Sequence, residues 1–173
     1  NNCNNLRNVY QRQSMQNCNT VDMSYTFSYC PKLKYDETLL ITSKNLITIQ
    51  CCYFGCANLK HINDRYITRI GGDKLVNVSA AFQWCPLLGG NYYFASENII
   101  HGDLLGYQSS PGRGNILNIY IKSNTLTNNS FAKHYAKNIW SNGNGYDDAA
   151  NNIFIYYAEK QSEYNRYKEA NWG

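Results

Sequence analysis

Gln161 and Glu163 stand two places apart in Gln161-Ser162-Glu163-Tyr164, and on an extended segment residues so spaced share one face of the strand. A side-chain amide and a carboxylate would then enter a single cleft together. Upstream lies a strand-like run, Ile116-Leu117-Asn118-Ile119-Tyr120-Ile121-Lys122. Other chemistry-bearing residues are sparse. Cys52-x-x-x-Cys56 followed by His61 is a weak zinc spacing, and His61, His101 and His134 share no ligand spacing, so no metal site is read. No G-x-S-x-G elbow marks a serine nucleophile.

A chain of 173 residues suits one domain, residues 1–173, with its own core. Hydrophobic residues make up 43% and charged residues 16%, with 16 tyrosines. That low charge and high aromatic content exclude a disordered chain. Aromatic and β-branched runs broken by Asn, Gly and Ser favour strands. The net charge of +4 is spread without a basic cluster, so no nucleic-acid partner is expected. Seven cysteines, at 3, 18, 30, 51, 52, 56 and 85, all fall in the first half. This predicts a disulfide-stapled amino-terminal half, hence an oxidising compartment and secretion. The sequons Asn77-Val78-Ser79 and Asn128-Asn129-Ser130 fit a glycoprotein on that route. No leader is visible, so either it has been removed or the sequence is a cut piece of a longer chain, and no apolar run approaches a membrane span.

The elements that would position the Gln/Glu pair are mixed. Val9-Tyr10-Gln11-Arg12 reads as a first strand, and residues 38–52 as a hairpin about Ser43-Lys44-Asn45. Arg65-Tyr66-Ile67-Thr68-Arg69-Ile70 is a short strand closed by Gly71-Gly72. Asp73 then caps a helix through Leu75, Val76, Ala80 and Phe82, stopped by Pro86. Residues 91–96 form a strand or loop. In the run 116–122, Ile119 and Ile121 share one face. Phe131, Tyr135 and Ile139 have helical spacing, Ser141-Asn142-Gly143-Asn144-Gly145 is a loop, and a helix resumes from Asp147 or Asp148 through Ala149, Ile153, Tyr156 and Tyr157. No internal repeat is read.

This order of elements resembles the catalytic subunits of the pertussis-like and cholera-like (heat-labile enterotoxin A) ADP-ribosylating toxins. The matching pieces are Val9-Tyr10-Gln11-Arg12, Arg65-Tyr66-Ile67-Thr68 with the helix from Asp73, Arg113-Gly114-Asn115-Ile116 onward, and Asp148-Ala149-Ala150-Asn151 leading to Gln161-Ser162-Glu163-Tyr164. They cover about half the chain. The resemblance implies an α+β fold, a mixed, strand-rich split β-sheet with peripheral helices. It also implies NAD as substrate and transfer of ADP-ribose to a host protein. Glu163 would stabilise the oxocarbenium-like ribose and Gln161 would orient the acceptor, both catalytic. Arg12 would hold the pyrophosphate or ribose, and Thr68 would brace the glutamate, both cofactor-binding. Tyr156, Tyr157, Tyr164 and Tyr167 could stack a nicotinamide or a glycan, or cover a core edge. The chain departs from the family pattern at Gln11, which displaces Arg12 by one place and so to the opposite strand face, and in having a single hydroxyl at Thr68.

Two functions follow. One is a secreted toxin or virulence effector, a mono-ADP-ribosyltransferase using NAD. The other is an inactive secreted effector, a glycan- or protein-binding module on a disulfide-stabilised β-rich fold.

Overall fold

One short pattern recurs at unequal intervals: Phe27-x-x-Cys30-x-x-Leu33, Tyr53-x-x-Cys56-x-x-Leu59 and Phe82-x-x-Cys85-x-x-Leu88, with Cys3-x-x-Leu6 ahead of them. In the computed structural model, which describes residues 3–10, 19–38, 40–63, 67–100, 104, 115, 117–121, 145–148 and 153–157, these segments lie side by side. The Phe27 N–H donates to the Cys52 carbonyl at 2.8 Å, and the Tyr53 N–H to that of Ala81 at 3.0 Å. The Ile47 N–H reaches Val21, Val76 reaches Ile47, and Ile100 reaches Val76, at 2.8, 2.9 and 2.9 Å. Each segment is thus one rung of a solenoid with a repeat of roughly 25–29 residues, and each rung contacts its neighbours.

The rungs bend by turns rather than helices. The Thr26 N–H bonds to Met23 O, Ser28 to Tyr25 O, Cys30 to Phe27 O and Leu33 to Cys30 O, each across four residues. Turns of type II need a positive φ at their third residue. Here Tyr25, Cys51 and Ala80 occupy one such slot, at 57°, 51° and 53°. Tyr29, Gly55 and Trp84 occupy another, at 54°, 74° and 57°. Each rung also begins with a side chain that caps its own backbone: Asp22 Oδ1 accepts from Ser24 N at 2.7 Å, Thr48 Oγ1 from Gln50 N, and Asn77 Oδ1 from Ser79 N. Gly72 is required by contact between rungs, since a Cβ there would meet the Lys44 carbonyl oxygen at 2.8 Å.

The inward residues stack by slot. Met23, Ile49 and Val78 align, as do Phe27, Tyr53 and Phe82, then Cys30, Cys56 and Cys85, then Leu33, Leu59 and Leu88, all within one buried core. Full burial of such aliphatic and aromatic side chains stabilises by about 1.5–3 kcal/mol each. Flanking this core are two sheets. Strands β1 (Asn8–Val9), β2 (Tyr35–Asp36) and β3 (His61–Ile62) pair in parallel in that order. Strands β4 (Thr68–Ile70), β5 (Gly90–Phe94), β6 (Leu117–Ile121), β7 (Gly145–Asp148) and β8 (Ile153–Tyr157) form a second sheet in the order β4-β5-β6-β8-β7. All of its pairings are parallel except the edge pair β7–β8.

This architecture overturns the expected α+β split sheet with peripheral helices. Among the described residues there is no α-helix, only a 3-10 turn at Leu40–Thr42. The helix expected from Asp73 is a series of turns, and the Asp73 carbonyl accepts from the side chains of Ser96 and Asn98. The helix expected through Ile153 and Tyr156 is β8. The hairpin expected over 38–52 does not form, because its arms pair with neighbouring rungs and not with each other: Thr48 bridges both Asp22 and Asn77. For the helix expected from Asp73 the physical reason lies in the spacing. In a rung, inward residues such as Leu46, Ile49, Tyr53 and Cys56 fall three or four places apart, which is also the spacing of a helix face. The expectation of no internal repeat fails with it.

The disulfide staples are overturned as well. None of Cys3, Cys30, Cys51, Cys52, Cys56 and Cys85 is joined in a disulfide among the described residues. Four of them, Cys30, Cys52, Cys56 and Cys85, are buried core residues. Cys56 Sγ donates to the Phe27 carbonyl and Cys85 Sγ to the Tyr53 carbonyl, each at 3.0 Å. The crowding of cysteines toward the amino-terminal half reflects a solenoid slot that a small apolar thiol fills, so the cysteines no longer speak for an oxidising compartment. No helix among the described residues is long and apolar enough to cross a membrane.

Candidate binding surface

The second left-handed slot lies just ahead of the core cysteine and so points its residue out at a corner of each rung. Tyr29 and Trp84 occupy that slot and are each 48% exposed. Gly55 fills it on the rung between. Its missing side chain makes room, since a Cβ there would meet the Tyr29 ring at 3.1 Å. Phe54, one place earlier, bridges the gap. Its ring packs edge-on to Tyr29 at 5.0 Å between centroids and tilted against Trp84 at 4.8 Å. Three rings on three successive rungs thus form a continuous ridge. The half-exposed Tyr25 stands four places before Tyr29 on the same arc.

A second column lies five or six places further along the rungs. The residues directly after Leu6, Leu33 and Leu59 are Arg7, Lys34 and Lys60, all exposed, while Gly89 follows Leu88. The Lys34 N–H donates to Arg7 O at 2.7 Å and the Lys60 N–H to Lys34 O at 2.8 Å, so the three cations stand in register at the rung spacing of about 4.8 Å. Among the described residues none of the three makes an ion pair. Lys32 sits between ridge and column and donates to Asn5 Oδ1 at 3.0 Å. Beyond the column, the rings of Tyr35 and His61 pack at 4.6 Å.

Beneath this surface Asp36 and Tyr53 form a buried ionisable pair. Asp36 is fully buried; its Oδ2 accepts from the Tyr53 hydroxyl at 2.5 Å and its Oδ1 from the Thr38 N–H at 2.9 Å. Burial pushes the Asp36 carboxyl up, and those two hydrogen bonds hold it back. Burial likewise raises the Cys56 thiol to about 12. A thiol so protonated is a poor nucleophile.

The residues expected to bind and transform NAD fare differently. Arg12, Gln161 and Glu163 lie outside the described residues. Thr68 is described, and it is buried with its hydroxyl donating to the carbonyls of Asn63 at 2.9 Å and Ile62 at 3.2 Å. It closes the base of the loop between β3 and β4. Of the weak zinc spacing, Cys52 and Cys56 are core residues while His61 packs on Tyr35, and no cluster of His, Cys, Asp or Glu able to hold a metal occurs among the described residues. Tyr29, Phe54 and Trp84 were missed by spacing alone. Their signal is an aromatic residue one or two places ahead of Cys30, Cys56 and Cys85, just as Arg7, Lys34 and Lys60 follow Leu6, Leu33 and Leu59.

No family model matches this chain, and neither a curated protein nor a solved structure is similar to it.

Proposed function

We propose that this chain is a recognition module, a solenoid that holds a partner against its aromatic corner rather than an enzyme built around a cleft. One observation carries the reading. Phe54 links Tyr29 and Trp84 into a ridge that stays half exposed although the core beside it buries aromatic side chains completely. Rings fixed by a repeating backbone lose little freedom on binding, which is why aromatic residues dominate recognition hot spots. In a secreted, host-directed effector such a module would supply attachment to a host protein or glycan.

The test is direct binding to immobilised extended peptides and oligosaccharides by purified protein, Trp84→Ala and Phe54→Ala. The expected result is a ligand whose affinity falls at least tenfold in both variants while their melting stays cooperative. Binding indifferent to both substitutions would overturn the proposal.

A further inference from the structure

We infer that the ridge and the cation column together bind a linear acidic polysaccharide running along the solenoid axis. This rests on the ridge being a recognition surface. The ridge offers Tyr29, Phe54 and Trp84 on three successive rungs, and ring faces pack against the C–H faces of sugars as they do against other flat apolar surfaces. The column five or six places further along the rungs offers Arg7, Lys34 and Lys60, exposed and free of ion pairs among the described residues. Both series advance by one rung, about 4.8 Å, close to the length of one pyranose unit. An extended chain lying along the axis would therefore meet Arg7 on one rung, a ring and a cation together on the next two (Tyr29 with Lys34, Phe54 with Lys60), and Trp84 on the fourth, where Gly89 continues the column.

Charge and stacking answer different parts of one ligand. A neutral glycan would leave three unneutralised cations with nothing to do. A single-stranded nucleic acid also combines charge with stacking, but bases need open ring faces, and here Phe54 is wedged edge-on to Tyr29 at a 70° interplanar angle. Of the three rings Tyr29 and Trp84 are the exposed ones, two rungs apart, a separation that two sugar units span. Sulfate and carboxylate are both anions a Lys/Arg column accepts, so the two sources are separated by experiment.

Heparin (sulfated), polygalacturonate (carboxylated), dextran (neutral) and an oligothymidylate are titrated by calorimetry against the whole chain, Trp84→Ala, and the double variant Lys34→Glu with Lys60→Glu. Lys34 and Lys60 are exposed, so charge reversal leaves the core intact, and circular dichroism confirms folding of each protein. At least one acidic polysaccharide is expected to bind and dextran is not. Raising salt from 50 to 200 mM should weaken binding roughly twentyfold, as for about three neutralised cations. Trp84→Ala and the charge reversal should each weaken it about tenfold or more. Acidic-polysaccharide binding that ignores Trp84→Ala would be unspecific charge attraction and would overturn the inference, as would tighter binding of the oligothymidylate. If dextran or a peptide binds through Trp84 and the charge reversal changes nothing, the acidic ligand is wrong while the recognition module stands. If no ligand of any class responds to Trp84→Ala in folded protein, both fall.

Discussion

Replacing Tyr53 by Phe removes one oxygen and leaves the ring's packing against Phe27 at 5.4 Å and Phe82 at 6.1 Å in place. What is lost is the hydrogen bond to Asp36 Oδ2, in a site with no exposed surface. A hydrogen bond to a charged group contributes about 1.5–3 kcal/mol, and a neutral one about 0.5–1.5 kcal/mol. Burial raises the folded-state Asp36 carboxyl above its unfolded value. Between those two values the folded chain holds the extra proton, so the contribution of Asp36 to stability is fully present in acid and is lost as pH rises through the folded value. Tyr53 opposes this, because its donor favours the charged form. Without it the carboxyl rises further, and the Tyr53→Phe deficit should grow from acid toward neutral pH. For a chain of this size each 1 kcal/mol lowers melting by roughly 2–4 °C. The assay is urea unfolding of wild type, Tyr53→Phe and Asp36→Asn at several values between pH 4 and 7. Relative to Asp36→Asn, the wild type should gain stability in acid. A Tyr53→Phe deficit that does not change with pH, together with equal slopes for wild type and Asp36→Asn, would refute the reasoning.

Other outcomes follow from single contacts. Gly55→Ala places a Cβ against the Tyr29 ring at a left-handed backbone position, so it should destabilise by about 1–2 kcal/mol in chemical denaturation and weaken any ligand held by the ridge. Thr68→Val removes a donor from the carbonyls of Ile62 and Asn63, and should cost about 1 kcal/mol by the same measurement. Alkylation of native protein followed by mass spectrometry should label the exposed Cys3, while Cys30, Cys52, Cys56 and Cys85 react only after denaturant is added. Incubation with NAD bears on Arg12, Gln161 and Glu163: a recognition module should release no nicotinamide above a buffer control, and release abolished by Glu163→Ala would restore the transferase reading.

Composition by itself determined that this chain is rich in strands. The scarcity of charge, the many tyrosines and the short β-branched runs all required it, and two short strands were legible near their places, at Thr68–Ile70 and Leu117–Ile121. Ile119 and Ile121 share the core side of β6, as their alternation requires. The turn at Ser43-Lys44-Asn45 was also legible, and Ser43 Oγ accepts from the Asn45 N–H there. Hydrophobic periodicity could not separate a helix from a rung, because Leu75, Val78, Phe82 and Cys85 turn inward at helical intervals while the chain between them runs through tight turns. Nor could sequence show which segments pair: the arms about Ser43 look like a hairpin until each is bonded to a different neighbour. Tertiary structure alone stacked Tyr29, Phe54 and Trp84, which stand far apart in the chain, into one ridge. It did so because backbone hydrogen bonds between rungs, not local propensity, fix which residues share a column.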